Sequence, residues 1–280
     1  DGPIDGDIMK PQTPNTRSLD EALNSLLCED IASVAARPIP PSSLLDRVRQ
    51  SAAVRSTLST VRARQDTWSR VTAGVRKKVL RNGSQGASVL LELQPGVSLP
   101  VHRHAWLEEA ICLAGGLRTG DLDLGPGDYQ VSQPGSRHGR ITSCPRRGAL
   151  AYLRGTSLGN PGRQIAELLG GWLPGQGAPQ HTVLLRDGGW QPIGQGVEVL
   201  PLWQGDGLAS RYVRLSPGAT LPAHDHGMDE ECMMIEGDAF FGDLLIQAGD
   251  FHLAPAGTRH GEVCSDGGAL FFLRGAAEAS

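Results

Sequence analysis

One polar pattern occurs twice in this chain of 280 residues, at a constant spacing. The stretch HRHAWLEEA begins at His102, and HDHGMDEEC begins at His224, which is 122 residues further on (224 − 102). The same spacing relates two tryptophans, Trp68 and Trp190, so the register holds over most of each copy without an insertion. A repeat of this length indicates a duplicated domain rather than a solenoid of short units.

The apolar runs within each copy are short and are bounded by glycine and proline. Examples are ASVLLELQPG in the first copy and SRYVRLSPG in the second, in a chain with 37 Gly and 19 Pro. Many short strands separated by turns predict an all-β sandwich or barrel in each copy. We predict the first copy over residues 65–156, a linker over 157–181 and the second copy over 182–276.

The first 64 residues have a different pattern. A capping box at Ser18 to Glu21 precedes apolar residues that recur at helical spacing as far as Val34. A second cap at Ser43 is followed by another apolar stripe. The sequence therefore predicts that residues 1–64 form an N-terminal helical segment that is partly flexible.

The charge is unevenly distributed. The net charge of −4 gives no general affinity for nucleic acid. Between Asp46 and Arg81, however, ten basic residues stand against two acidic ones, which leaves this basic segment with ten minus two, or +8. A solvated charged face is the ordinary explanation. The alternative is a docking surface for an acidic partner or for the acidic domains of the same chain.

Cysteine usage points to a reducing compartment. The five cysteines are odd in number and include no C-x-x-C pair, which argues against a disulfide framework. The sequence has no apolar run of membrane-spanning length. We therefore expect a cytoplasmic protein that binds neither nucleic acid nor membrane directly.

The repeated histidines and glutamates are the residues best suited to chemistry. Residues two apart in a strand share a face, so both histidines of each H-x-H project together. Three imidazoles suit zinc, copper, iron or nickel, and a carboxylate oxygen widens the choice to manganese. We predict one metal site in each copy, with the ligands His102, His104, Glu108 and His138 in the first and His224, His226, Glu230 and His260 in the second.

The second glutamate of each pair, Glu109 or Glu231, competes for the ligand role because a β-bulge would exchange the two faces of the strand. The first is favoured because six residues separate it from a glycine in both copies. No catalytic set is recognisable, although the strand parity of Arg140 and Glu262 would let either bind a substrate group or line the rim of the pocket.

Sulfur-containing residues share the strand parity of these ligands. Cys112 and Cys232 lie at even offsets from the glutamates, and Met234 does so as well. Burial inside a barrel is the ordinary reason for such placement. An oxidisable sulfur beside a metal is the alternative.

The motifs resemble those of the cupin superfamily. The pattern G-x5-H-x-H-x3-E-x6-G runs from Gly218 to Gly237 in the second copy and from Gly96 to Gly115 in the first. The pattern G-x5-P-x-G-x2-H ends at His260, and its counterpart in the first copy has Gln133 where proline is expected. The resemblance implies two double-stranded β-helix (jelly-roll) barrels, hence a bicupin, each with one divalent metal.

Among cupins, the sequence is most similar to ChrR-type domains. These form the C-terminal half of zinc-dependent anti-sigma factors that release a sigma factor under oxidative stress. The resemblance implies zinc, with iron, manganese or nickel as alternatives, and a sigma factor or other protein partner bound through the N-terminal segment. That segment departs from the family in having Cys28 but no histidine, so it lacks the zinc site of an anti-sigma domain.

Two functions follow from this resemblance. The first is a regulatory or sensory bicupin with a small-molecule ligand in its barrel pockets and a role in a transcriptional stress response. The second is a non-haem metal-dependent dioxygenase acting on a small diketone or a hydroxyacetophenone-like compound. The sequence leaves open whether the chain also forms a homodimer.

Overall fold

A computed structural model describes residues 57–160 and 180–277, together with residues 49 and 162, but not the side chain of His138. Most of these residues lie in β-strands that form two tandem jelly-roll barrels, which confirms the predicted all-β class. The predicted N-terminal helices lie outside the described residues and stay a prediction. No helix in the described part of the chain is long and apolar enough to cross a membrane.

Twenty-five strands build the described part of the chain. The first thirteen are β1 Ser59–Val61, β2 Trp68–Thr72, β3 Val75–Gly83, β4 Gly86–Leu93, β5 Ser98–Leu99, β6 His102–Arg103, β7 Glu108–Gly115, β8 Leu117–Thr119, β9 Leu122–Leu124, β10 Tyr129–Ser132, β11 Arg137–His138, β12 Ile141–Ser143 and β13 Ala149–Thr156. The others are β14 His181–Val183, β15 Gln191–Gly194, β16 Val197–Gly205, β17 Leu208–Leu215, β18 Thr220–Leu221, β19 His224–Asp225, β20 Glu230–Phe241, β21 Leu244–Gln247, β22 Phe251–Ala254, β23 Arg259–His260, β24 Val263–Cys264 and β25 Ala269–Ala276. Two 3-10 helices span Ser157–Gly159 and Leu185–Asp187.

Each barrel has one large sheet and a smaller face. In the first barrel the large sheet has the order β14-β10-β7-β13-β4-β3-β2, and the smaller one has the order β5-β12-β8-β9. The second barrel repeats this plan along β1-β22-β20-β25-β17-β16-β15, with β18, β21 and β24 on its other face. Each barrel also has a two-stranded antiparallel sheet, formed by β6 with β11 in the first and by β19 with β23 in the second.

The two barrels exchange their first strands. Strand β1 precedes the first copy in sequence but pairs with β22 of the second barrel, with Thr60 opposite His252. Strand β14 opens the second copy but pairs with β10 of the first barrel, with Thr182 opposite Gln130. The predicted domain boundaries do not anticipate this exchange.

The large sheets of both barrels, which belong to one compact unit, pack on each other through a shared apolar core. The ring of Phe272 lies 5.6 Å from that of Tyr152 and 6.4 Å from those of Tyr129 and Tyr212, centroid to centroid. All four side chains are fully buried. Aromatic pairs at these distances add to the free energy gained from buried apolar area, so the barrels stabilise each other.

Steric crowding explains why the first cupin motif ends in glycine. Gly237 has a φ of +71°, and a Cβ atom there would lie 2.1 Å from the carbonyl oxygen of Gly268. Gly115 has the same conformation and the same close approach to Gly148. Only glycine fits where β7 and β20 bend against the closing strand, which explains the repeated spacing.

Candidate metal centres

Short antiparallel strand pairs place the histidines side by side. His102 of β6 stands opposite His138 of β11, and His224 of β19 stands opposite His260 of β23. The ladder continues one step further through the amide of His226, which donates to a carbonyl oxygen at 2.9 Å. The next strand of each barrel, β7 or β20, begins with the predicted glutamate.

In the second barrel all four predicted ligands converge. Glu230 Oε1 lies 3.4 Å from His226 Nε2 and 3.8 Å from both His224 Nε2 and His260 Nδ1. The four ligand atoms lie within 4.8 Å of one another. Ligand atoms bound at about 2.1 Å to one ion are about 3 to 4 Å apart, so this set has the dimensions of a metal site.

Backbone carbonyls direct two of these rings. His224 Nδ1 donates to Pro222 O at 3.1 Å, and His226 Nδ1 donates to Thr258 O at 3.2 Å. Because a carbonyl oxygen only accepts, each ring presents the lone pair of Nε2 to the centre. His226 Nε2 and His260 Nδ1 are buried and make no hydrogen bond within the described residues, so the set fits a metal ion.

Protonation in the second centre also suits a metal. Burial alone would raise the pKa of Glu230, but the neighbouring imidazoles of His224 and His226 outweigh it and lower that pKa to about 2. Burial lowers the pKa of His260 to about 3. The carboxylate is therefore ionised and this imidazole neutral near pH 7, as metal ligation requires. The nearby Glu230 carboxylate raises the pKa of His224, which is 40% exposed.

The first barrel brings three of its four predicted ligands together. His104 Nδ1 lies 3.5 Å from Glu108 Oε1, and the ligand atoms of His102, His104 and Glu108 lie within 4.8 Å of one another. His102 Nδ1 donates to Pro100 O at 3.0 Å, which directs its Nε2 to the centre. Burial lowers the pKa of His104 to about 3, and His102 adds to this. Only the backbone of His138 is described, opposite His102.

The second glutamate of each pair lies outside these clusters. Glu109 accepts a 2.7 Å hydrogen bond from the Tyr129 hydroxyl and pairs with Arg274 of the other barrel at 2.9 Å. Glu231 pairs with Arg81 of the first barrel at 2.9 Å. Both carboxylates are buried, and both join one barrel to the other.

The first barrel contains a cavity beside its metal centre. An outer cavity of about 380 Å³ and an inner one of about 60 Å³ share His102, Leu91 and Leu99 in their walls. The inner cavity reaches Glu108 and Thr119, and the rest of its wall consists mainly of apolar side chains, six of which are leucine. Together they have the volume and the apolar walls of a site for a small molecule.

Two phenylalanines occupy the corresponding space in the second barrel. Phe241 replaces Thr119, and Phe271 stands where the first barrel has Ala151. The Phe241 ring lies 5.2 Å from His260 and 5.7 Å from Phe271, centroid to centroid. The two centres thus have similar ligands but different surroundings.

The buried thiols are held in the protonated form. Cys232 and Met234 pack in the core of the second barrel, as the strand parity indicates. Burial raises the pKa of Cys232 well above its ordinary range and that of Cys112 to about 11. Since the thiolate is the reactive form, packing explains both residues better than redox chemistry. Arg140 and Glu262 are exposed, and neither joins the clusters described above.

Sequence analysis missed four residues that stand behind the centres. His252 lies 3.0 Å from His260, ring nitrogen to ring nitrogen, and contacts Thr60 of the exchanged strand. Gln130 and Thr182 are their counterparts in the first barrel. The signal was available, because Thr60 and Thr182 are also 122 residues apart (182 − 60), which extends the repeat upstream of Trp68.

Two histidine-carboxylate clusters in tandem jelly-roll barrels define a metal-binding bicupin. The family model of the ChrR cupin-like domain matches residues 56–156 and again residues 179–277. The chain therefore belongs to the ChrR cupin-like family. A comparison with curated proteins gives no match.

Solved structures share the fold at low sequence identity. A protein from Nostoc punctiforme named as a candidate dioxygenase is 13% identical, with a TM-score of 0.61, over 78% of this chain and 82% of its own. Oxalate decarboxylase from Lactobacillus farciminis is 17% identical, with a TM-score of 0.57, over 79% and 86%. A single-residue mutant of the Bacillus subtilis oxalate decarboxylase is 20% identical, with a TM-score of 0.55, over 79% and 78%. These likenesses concern the fold alone.

Proposed function

We propose that this protein is a regulatory or sensory bicupin of the ChrR type that binds one divalent metal in each barrel. The match of the ChrR cupin-like model to both copies is the observation that carries the proposal. Three imidazoles and one carboxylate make zinc the first choice, with iron, manganese or nickel as alternatives. A metal held there would act as a Lewis acid toward an oxygen atom of a bound ligand.

The two barrels support different parts in this function. Three ligands of the second centre, His226, Glu230 and His260, are buried, and Phe241 packs on His260, while His224 faces solvent. That arrangement suits a metal whose binding stabilises the fold. The first centre opens to a cavity at His102, so the first barrel is the better place for a small molecule that serves as the input signal.

A protein partner would receive the output. The resemblance to anti-sigma factors and the arginines at the start of the basic segment, Arg47, Arg49 and Arg55, support a sigma factor, or another protein with an acidic surface, bound through the N-terminal segment. Further along the segment, Arg62, Lys78 and Arg81 bond within the barrels. We place this activity in the cytoplasm because Cys112, Cys144, Cys232 and Cys264 are free thiols.

A test of the regulatory role begins with the full chain purified without added metal. We expect stoichiometric zinc by elemental analysis, no oxygen consumption with small diketones, and co-elution with a sigma factor from the source organism. The matched control reverses the charge of Arg47, Arg49 and Arg55, and it should bind zinc normally but lose the sigma factor. Zinc-loaded protein that binds none of the organism's sigma factors would contradict the sigma-factor interpretation.

One observation favours a second function, a metal-dependent dioxygenase. The cavity beside His102 and Glu108 would admit a small diketone or a hydroxyacetophenone-like compound. Its leucine walls would hold the carbon skeleton, while a carbonyl oxygen faces the centre. If the purified protein contains iron and consumes oxygen with such a compound, this function replaces the regulatory one.

A further inference from the structure

A hydrogen-bonded chain links the second metal centre to the exchanged strand β1. His260 Nε2 lies 3.0 Å from His252 Nε2, and His252 Nδ1 lies 2.8 Å from Thr60 Oγ1. His252 is fully buried, and Thr60 stands directly opposite it in the β-ladder. Thr60 comes from the sequence that precedes the first barrel, yet it contacts the second centre through one intervening residue.

Metal binding would fix the direction of this chain. His260 faces Glu230 with Nδ1, so Nδ1 provides the lone pair and Nε2 carries the proton. His260 Nε2 then donates to His252 Nε2. Because this nitrogen accepts, the ring proton of His252 is on Nδ1, which donates to Thr60 Oγ1. Hydrogen bonds of this kind hold a ligand ring in one tautomer and one orientation.

The first barrel repeats the arrangement with different chemistry. Gln130 takes the place of His252, and its Nε2 donates to Thr182 Oγ1 of the other exchanged strand at 3.2 Å. Gln130 and Thr182 again stand opposite each other in the ladder. A threonine is therefore delivered to each barrel by the strand that precedes the other one in sequence.

Several bonds hold β1 in place beside His252. Asp250 accepts from the amide of Ala63 at 2.7 Å and from the Arg62 guanidinium at 2.7 Å. The buried Lys78 ammonium donates to the carbonyl oxygens of Arg62 and Ala63 at 2.6 and 3.0 Å. A docked β1 thus presents Thr60 in a defined position.

We propose that His252 and Thr60 are positioning residues for the second metal centre, and that metal binding there and docking of β1 stabilise each other. Coupling of two equilibria is reciprocal. The free energy by which the docked Thr60 strengthens metal binding is therefore also the free energy by which bound metal stabilises the docking of β1. Because β1 lies at the end of the predicted N-terminal segment, residues 1–64, this chain of contacts connects the second centre to that segment. The inference requires a metal in the second barrel but does not require the regulatory role.

The first experiment measures Zn²⁺ affinity at the second centre in the full chain. His102→Ala and His104→Ala silence the first centre, and Zn²⁺ is titrated against a chromophoric chelator. Loss of the ring's partner in His252→Leu should weaken affinity roughly 10- to 100-fold. His252→Gln copies the first barrel and should restore most of it. Thr60→Val should cost about 3- to 10-fold, and Thr60→Ser should cost little.

Two matched controls separate positioning from general damage. Thr182→Val removes the equivalent hydroxyl from the first barrel, and Ser59→Ala alters an exposed neighbour of Thr60 on the same strand. Both should leave Zn²⁺ affinity at the second centre unchanged. Wild-type affinity in His252→Leu would overturn the proposal, as would equal losses in His252→Leu and His252→Gln.

The second experiment needs no change in the second barrel, so it is independent of folding defects there. Hydrogen exchange of the β1 amides is followed with and without Zn²⁺ in the protein with a silenced first centre. Zn²⁺ should slow exchange in β1 by the factor that Thr60 contributes to affinity, while β14 should not respond. Equal exchange of β1 in the two states would overturn the coupling.

Discussion

The two glutamates of each pair have different partners, because adjacent side chains in a β-strand point to opposite faces of the sheet. Glu230 faces the three histidines of the second barrel, whereas Glu231 faces the other barrel and pairs with Arg81. The side chains of Glu108 and Glu109 diverge in the same way. Because the two residues differ only in the face they occupy, the pair offers a direct comparison of the metal centre with the interface.

Neutralising Glu230 and neutralising Glu231 should therefore affect two different properties, metal binding in the first case and stability in the second. We expect Glu230→Gln to weaken metal binding at the second centre by a large factor, because the only carboxylate of the cluster is lost. Glu231→Gln should retain the metal but reduce the free energy of unfolding by about 1 to 3 kcal/mol, since it removes one of the two carboxylates that pair with the partly buried Arg81, the other being Asp229. Metal titration and urea unfolding measure the two quantities. If Glu231→Gln instead loses the metal, the assignment of the two faces is wrong.

Phe241 is one of the two side chains that fill the second barrel where the first barrel has a cavity. Thr119 borders the inner cavity of the first barrel, and Phe241 occupies its place in the second. Thr119→Phe should abolish binding of a small diketone such as acetylacetone, with the metal content unchanged. The measurement is calorimetric titration, and Thr72→Phe at the exposed outer rim is the control. Undiminished binding to Thr119→Phe would place the ligand elsewhere.

At the level of strands, the exchange of β1 and β14 depends on a few polar contacts. Asp250 holds the amide of Ala63, and Asp128 holds the amide of Leu185 at 2.9 Å in the first barrel. Lys78 adds two bonds to β1 that have no equivalent in the first barrel, because Leu200 stands at its repeat position. The two exchanged strands are thus anchored by similar but unequal means.

Lys78→Met tests this anchor. The substitution keeps an unbranched apolar side chain but leaves the carbonyl oxygens of Arg62 and Ala63 without their donor, which should cost about 1 to 3 kcal/mol. Faster amide exchange in β1 than in the rest of the second barrel should accompany the loss. The control is Lys77→Met, on the opposite face of β3, where the ammonium bonds to Leu158 O. Equal effects of both variants on β1 would contradict the assignment.

The sequence predicts these strands better than it predicts their partners. Strand parity places Cys232 and Met234 in the core of the second barrel, because alternation is a local property of the chain. Strand exchange is not local, since the three residues of β1 pair with β22, which lies about 190 residues further along the chain. Long-range contacts such as those of Asp250 and Lys78 decide which barrel β1 joins. The choice between Glu230 and Glu231 likewise needs the register of β20.

For the whole molecule, the duplication has produced two barrels that stabilise each other face to face. Phe272 packs against tyrosines of both barrels, and the Glu109–Arg274 and Glu231–Arg81 pairs cross the interface. The 122-residue repeat makes this architecture predictable, as it does the grouping of the histidines. The predicted helices of the N-terminal segment have no counterpart in the repeat, so they rest on capping motifs and apolar periodicity alone.

Metal removal should affect the stability of the whole compact unit. A ligand that binds only the folded state stabilises it by about 4 kcal/mol when its concentration is about 1,000 times Kd. We expect chelation to lower the Tm and Zn²⁺ to restore it, as followed by thermal unfolding. A Tm that does not respond to chelation or to Zn²⁺ would mean that the centres do not bind zinc specifically in the folded state.

The central claim is that each barrel binds one metal ion through its own histidines and glutamate. Native mass spectrometry of the full chain, loaded with Zn²⁺ and freed of excess, tests it directly. We predict two ions in the wild-type protein, one after His102→Ala with His104→Ala, and one after His224→Ala with His226→Ala. A folded wild-type protein without zinc, or loss of both ions from either double variant, would contradict the claim.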